Sequence, residues 1–110
     1  MISKELLSKV LDKNIKYISD ELDDNLVPYE MPIDGWKTIN VYELAYKCKE
    51  WAFNNGYSIL VDILGINNYQ ISMEDLTTGK PEYVKDSYNT SEPETIFLAC
   101  KWILDNKDIK

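Results

Sequence analysis

The side chains of this chain that could do chemistry are two cysteines, Cys48 and Cys100, 12 lysines and 19 carboxylates; histidine and arginine are absent. The missing types remove the imidazole base, the Cys–His and Ser–His pairs, the histidine metal ligands and the planar arginine clamp on phosphate. Thiol and carboxylate chemistry remain. A thiol becomes reactive when a nearby cation lowers its pKa. Lys49 and Lys101 each follow a cysteine directly, but neighbouring helical residues do not face each other. There is no Cys-x-x-Cys motif, and both cysteines fall on apolar faces of expected helices. They read as reduced core residues.

Paired acids could serve glycoside hydrolysis or metal-dependent phosphoryl chemistry. The densest cluster is Asp20, Glu21, Asp23 and Asp24. A calcium loop needs alternating oxygen ligands, a central glycine and a later bidentate glutamate. Asp20, Glu30 and Asp34 do not supply that arrangement, so the cluster reads as a solvated loop. Glu92 and Glu94 fall at an expected helix N-terminus, where the helix dipole and capping account for them. Gly35, Gly56, Gly65 and Gly79 are isolated, and none begins a phosphate-cradling loop. No catalytic, cofactor-binding or metal-ligating set emerges, and no cofactor is expected.

The elements that must position these residues follow from periodicity. Ser3 can cap a helix with Leu6, Leu7, Val10 and Leu11 on one face. That helix either runs to about Leu22, because Ile15 and Ile18 keep its phase, or breaks near Asn14 and leaves Ile15 to Ser19 a short strand. The break is preferred. Residues 20–39 read as loop-rich: a charged stretch to Asn25, then a partly extended Val27 to Ile33 carrying Pro28 and Pro32, then a turn at Asp34-Gly35. Trp36 to Ile39 is short and extended or a lead-in to the next helix.

Asn40 with Glu43 is a capping-box pattern, and Val41, Leu44, Ala45, Cys48, Trp51 and Ala52 make one apolar stripe. Lys47, Lys49, Glu50 and Asn54 face away. Asn55-Gly56 stops the helix. Tyr57 to Leu64 reads as a buried strand, Gly65 to Asn68 as a turn and Tyr69 to Met73 as its hairpin partner. After the loop Thr77 to Pro81, Tyr83 to Tyr88 is a third strand candidate with Tyr83 and Val84 on opposite sides. Ser91 and Glu94 form a second capping box, with Pro93 in the first turn. Ile96, Phe97, Cys100, Ile103 and Leu104 form the stripe of the closing helix. A polar tail at 105–110 follows.

The order of elements predicts one α+β domain over 1–110: a small antiparallel sheet of three to four strands packed with three helices. A hydrophobic fraction of 45% can fill such a core without disulfides or metal. The net charge of −7 argues against nucleic-acid or anionic-membrane binding and permits a basic protein partner. The first ten residues lack the apolar run and cleavage site of a signal peptide, and no stretch is long and apolar enough to span a membrane. A cytoplasmic location is expected.

Two blocks resemble a known group. Asn40-Val41-Tyr42-Glu43-Leu44-Ala45, Cys48-Lys49-Glu50-Trp51-Ala52 and Asn55-Gly56-Tyr57-Ser58-Ile59 form the first. Ser91-Glu92-Pro93-Glu94-Thr95-Ile96, Ala99-Cys100 and Leu104 form the second. Their order and spacing resemble the phage ABA sandwich domain of small phage and prophage proteins, over roughly Asn40 to Leu104. Asp12 to Ile39 has no counterpart. The resemblance implies helices on both faces of a small antiparallel sheet, a phage origin and no established activity or catalytic residues.

The aromatics are the remaining signal. Trp51 falls on the buried stripe. Trp102 lies off the line of its helix and at the rim of the core. Tyr42 and Tyr46 flank their stripe four residues apart, and Trp36 stands in an irregular segment near Tyr29. Exposed Trp and Tyr are common interface anchors, so Trp36, Tyr42, Tyr46 and Trp102 are the candidate interface. The expected function is a non-enzymatic phage or prophage accessory protein that contacts a host or phage protein. A small carboxylate- or metal-dependent enzyme and a self-associating domain forming a homodimer are the alternatives.

Overall fold

The computed structural model describes residues 1–19 and 25–107. The acidic residues Asp20, Glu21, Asp23 and Asp24 and the last three residues lie outside this description.

Helix α1 (Lys4–Leu11) begins where Ser3 Oγ accepts the Leu6 N–H at 3.2 Å, and it ends on Asp12 in the left-handed region. Its early stop agrees with the preferred break. Leu6 and Leu7 are fully buried.

Three strands follow: β1 (Tyr17–Ile18), β2 (Leu26–Met31) and β3 (Gly35–Asn40), an antiparallel sheet in the order β1-β2-β3. The described part of the stretch expected to be loop-rich is thus largely strand, and Trp36 stands in regular structure. Pro28 is tolerated in the middle strand for a geometric reason. Its carbonyl accepts the Ser19 N–H at 3.0 Å, so its nitrogen also faces the β1 side, where β1 ends. The ladder to β3 does not need the missing donor. Val27, Tyr29 and Ile39 point into the core, while Tyr17, Glu30 and Trp36 line up across the outward face. Tyr29 is therefore on the opposite face from Trp36, whose aromatic neighbour is Tyr17.

Asn40 closes β3 and opens α2 (Val41–Asn54): its Oδ1 accepts from the N–H groups of Tyr42 and Glu43 at 2.9 and 3.3 Å. Leu44, Ala45, Cys48 and Ala52 are buried. Trp51 is half-buried and shares a depression with Lys9 and Val10 of α1, at the edge of the core. Gly56 takes φ +94°, the left-handed geometry that turns the chain out of the helix.

The second sheet contains β4 (Tyr57–Gly65), β5 (Asn68–Asp75) and β6 (Lys80–Ser87), antiparallel in that order. Ile59, Ile71 and Met73 are buried on the face under the helices. The other face presents Leu60, Ser72 and Val84 in one cross-strand row, and Leu60 and Val84 are each 58% exposed. Helices cover one face of this sheet, whereas the resemblance implied cover on both, and the strands divide between two sheets. Among the described residues the α+β class with three helices is as expected.

Helix α3 (Glu92–Asn106) starts where Ser91 Oγ accepts the Glu94 N–H at 3.3 Å. It packs on α2, β4 and β5, and α1 packs on both α2 and α3. Small residues let α2 and α3 approach closely: Cys100 Sγ donates to the Cys48 carbonyl at 3.4 Å. Buried Thr95 keeps its hydroxyl satisfied on the Glu92 carbonyl. Both sheets and all three helices contribute to one apolar core. No helix among the described residues is long and apolar enough to cross a membrane.

Candidate functional site

The α2 stripe that closes on the core fixes what its flank can present. With Leu44, Ala45, Cys48 and Ala52 turned inward, residues spaced by four, three and four fall together on the side beyond them. These are Tyr42, Tyr46, Lys49 and Phe53. The three aromatics are 59%, 64% and 59% exposed. Two clefts border the flank. At the N-terminal half, Tyr42, Tyr46 and Lys49 lie beside Glu92, Pro93 and Ile96 of α3 in a cleft of about 230 Å³. At the C-terminal half, Lys49 and Phe53 lie beside Ser58 and Ile59 of β4 in one of about 260 Å³. Both fall below the roughly 300–1,000 Å³ of small-molecule sites. They suit single side chains of a partner better than a whole ligand.

The four expected interface residues are not brought together. Tyr42 and Tyr46 share the α2 flank. Trp36 stands on the outward face of β3, 55% exposed, with Tyr17 edge-on at 5.7 Å. Trp102 is half-buried and already occupied: Tyr83 packs on it at 5.4 Å, and the Lys107 ammonium lies 5.5 Å from its ring. Lys107 also reaches Glu82 at 3.1 Å, and this bond holds its pKa above the ordinary lysine value. Burial raises the Tyr83 phenol. This cluster seals the end of the core.

Phe53 and Lys49 escaped the sequence reading as site residues. The signal was present, because Phe53 is seven residues beyond Tyr46 and on the same helical line. Lys49, expected to face away from the apolar stripe, lies between the two clefts.

The thiols face each other across the α2–α3 seam, but their surroundings oppose reactivity. The Cys100 thiol beside it and burial push the Cys48 thiol far above its ordinary value, the reverse of what a nucleophile needs. Lys101 is held by Asp105 at 2.9 Å, with its own pKa raised by that bond. Several carboxylates serve structure. Asp75 Oδ1 accepts from Thr77 N–H in the β5–β6 turn, Asp86 accepts from Gln70, and Glu94 binds the N-terminal ammonium at 2.9 Å. Among the described residues no three metal-ligating side chains cluster. A shallow polar depression of about 700 Å³ between the end of α1 and Trp51 carries Lys9 and Lys13 beside Asp12, charges of both signs with no convergent set.

Comparison with known proteins finds no matching family model, no matching curated protein and no matching solved structure.

Proposed function

We propose that this protein is a non-enzymatic phage or prophage accessory protein that acts in the bacterial host cytoplasm by gripping another protein along the α2 flank. The observation that carries this reading is the line Tyr42, Tyr46 and Phe53, three large exposed aromatics on one helix with a cleft at each end. Burying such rings on association contributes strongly and costs little side-chain entropy. The phage origin rests on the resemblance of the two helix blocks to the phage ABA sandwich group.

A charged version of the reading is favoured by the open face of the second sheet. Asp62, Glu74 and Asp86 occupy it, and no lysine does, because Lys80 and Lys85 alternate to the helix side. That face suits a basic surface on a nucleic-acid-binding host protein. The test is affinity capture from bacterial lysate with and without phage infection, using the wild type and a Tyr42→Ser/Tyr46→Ser variant. A stoichiometric partner at physiological salt, lost with the variant, is the expected result. No partner in either lysate sinks the reading.

A further inference from the structure

The two edges of the second sheet differ. Strand β6 carries the devices that keep an edge from pairing: Lys80, Pro81, a register shift opposite Met73 and Glu74, and Lys85. Strand β4 lacks the proline and the lysines, and its register shift comes only at its far end, between Ile63 and Gly65. From Ile59 to Leu64 its only charge is Asp62, and it contains no proline or lysine.

The hydrogen-bond phase shows which β4 groups face outward. Leu76 N–H donates to the Gly56 carbonyl at 2.9 Å, one step beyond the Tyr57–Asp75 pair. In an antiparallel ladder the bonded pairs alternate. Ser58, Leu60 and Asp62 therefore bond β5, while Ile59, Val61 and Ile63 turn both their N–H and C=O toward the free edge. Among the described residues nothing bonds to those groups. The cleft of Lys49, Phe53, Ser58 and Ile59 borders this edge, and Ile63 is 74% exposed on the same face of the strand as Ile59.

We propose that the β4 edge receives an extended segment of a partner protein as a fourth strand, bonded to Ile59, Val61 and Ile63 and flanked by α2. Main-chain pairing supplies affinity, and alternate side chains supply selectivity. The residues on the helix side of the incoming strand are apolar, because they lie beside Ile59 and Ile63 and against Phe53. Those on the open side carry lysine or arginine, because they lie beside Asp62 on a face with no cation of its own. The net charge of −7 favours such a segment over a second, equally acidic copy of this chain. This inference rests on the protein-contact reading and specifies its geometry.

The probe is an alternating lysine–valine heptapeptide, read by calorimetry and by amide hydrogen exchange of the wild-type protein. The expected result is binding that slows exchange at Ile59, Val61 and Ile63 and leaves Leu60 and Asp62 as they were. N-methylation of the peptide at alternate residues should weaken binding about tenfold or more. Ile63→Lys, at a largely exposed position, should do the same. Val61→Pro removes an outward N–H together with a partly buried side chain, and serves as a second variant once its fold is verified by circular dichroism. Absence of peptide binding, equal binding of the N-methylated peptide, or protection of the same amides by self-association without peptide would each overturn the proposal. The α2 aromatics are untouched by these variants. A captured partner that binds Ile63→Lys as well as wild type leaves the protein-contact reading standing and removes strand addition alone.

Discussion

The two sheets are alike in strand number and pairing but differ in what holds them. The β4–β6 sheet has strands of eight to nine residues, with α2 and α3 laid on one face. The β1–β3 sheet has a first strand of two residues and a proline in its middle strand. Both send side chains into the same core. The second sheet is thus specified by its own ladder and its helical cover. The first depends more on the core behind it and on its junction to α2.

The largest effect that can break this contrast comes from paired truncations. Ile71→Ala, at the centre of β5 and 1% exposed, should cost about 3–4 kcal/mol, and Ile39→Ala, 9% exposed on β3, about 2 kcal/mol. Urea denaturation measures both. Equal or reversed costs would show that the first sheet is as integral as the second.

The α2–α3 seam offers a pH test. In the folded protein the Cys48 thiol is raised, so the folded state retains a proton that the unfolded chain releases near the ordinary thiol value. This contribution is fully present below about pH 8.5 and is lost as pH rises, by up to about 1.4 kcal/mol per pH unit. Cys48→Ala should flatten the melting-temperature profile between pH 8 and 10 relative to wild type. An unchanged slope would place the alkaline sensitivity elsewhere, in the lysines and tyrosines.

The smallest effect sharpens the comparison at its joint. Asn40 ends one sheet and caps the helix that covers the other. Asn40→Ala should cost about 1 kcal/mol. Hydrogen exchange should show the loss in the first turn of α2 and in β3 together. A loss confined to α2 would mean that the first sheet does not lean on the helix start.

These contrasts also explain what could be read from the sequence. The capped helices α2 and α3 were legible because Asn40, Ser91, Pro93 and Gly56 act within a few residues of themselves. The β4–β5 hairpin was legible for the same reason. The first sheet was obscured because its strands pair across a charged stretch, and Pro28 is acceptable only because β1 stops beside it, a fact of tertiary geometry. The shared flank of Tyr42 and Tyr46 followed from helical spacing alone. Trp102 looked available because its helical phase says nothing of Tyr83 and Lys107, which arrive from other segments. The free edge of β4 was invisible without the strand order.

The three tryptophans fall one to each neighbourhood: Trp36 outward on the first sheet, Trp51 between α1 and α2, and Trp102 beneath Tyr83 and Lys107. The chain thereby carries its own set of optical probes. Trp36 should emit at long wavelength from the start and change little on unfolding. Trp102, wedged against a ring and a cation, should shift red when α3 lifts from its sheet. Variants retaining one indole at a time would turn denaturation into a record of which layer separates first.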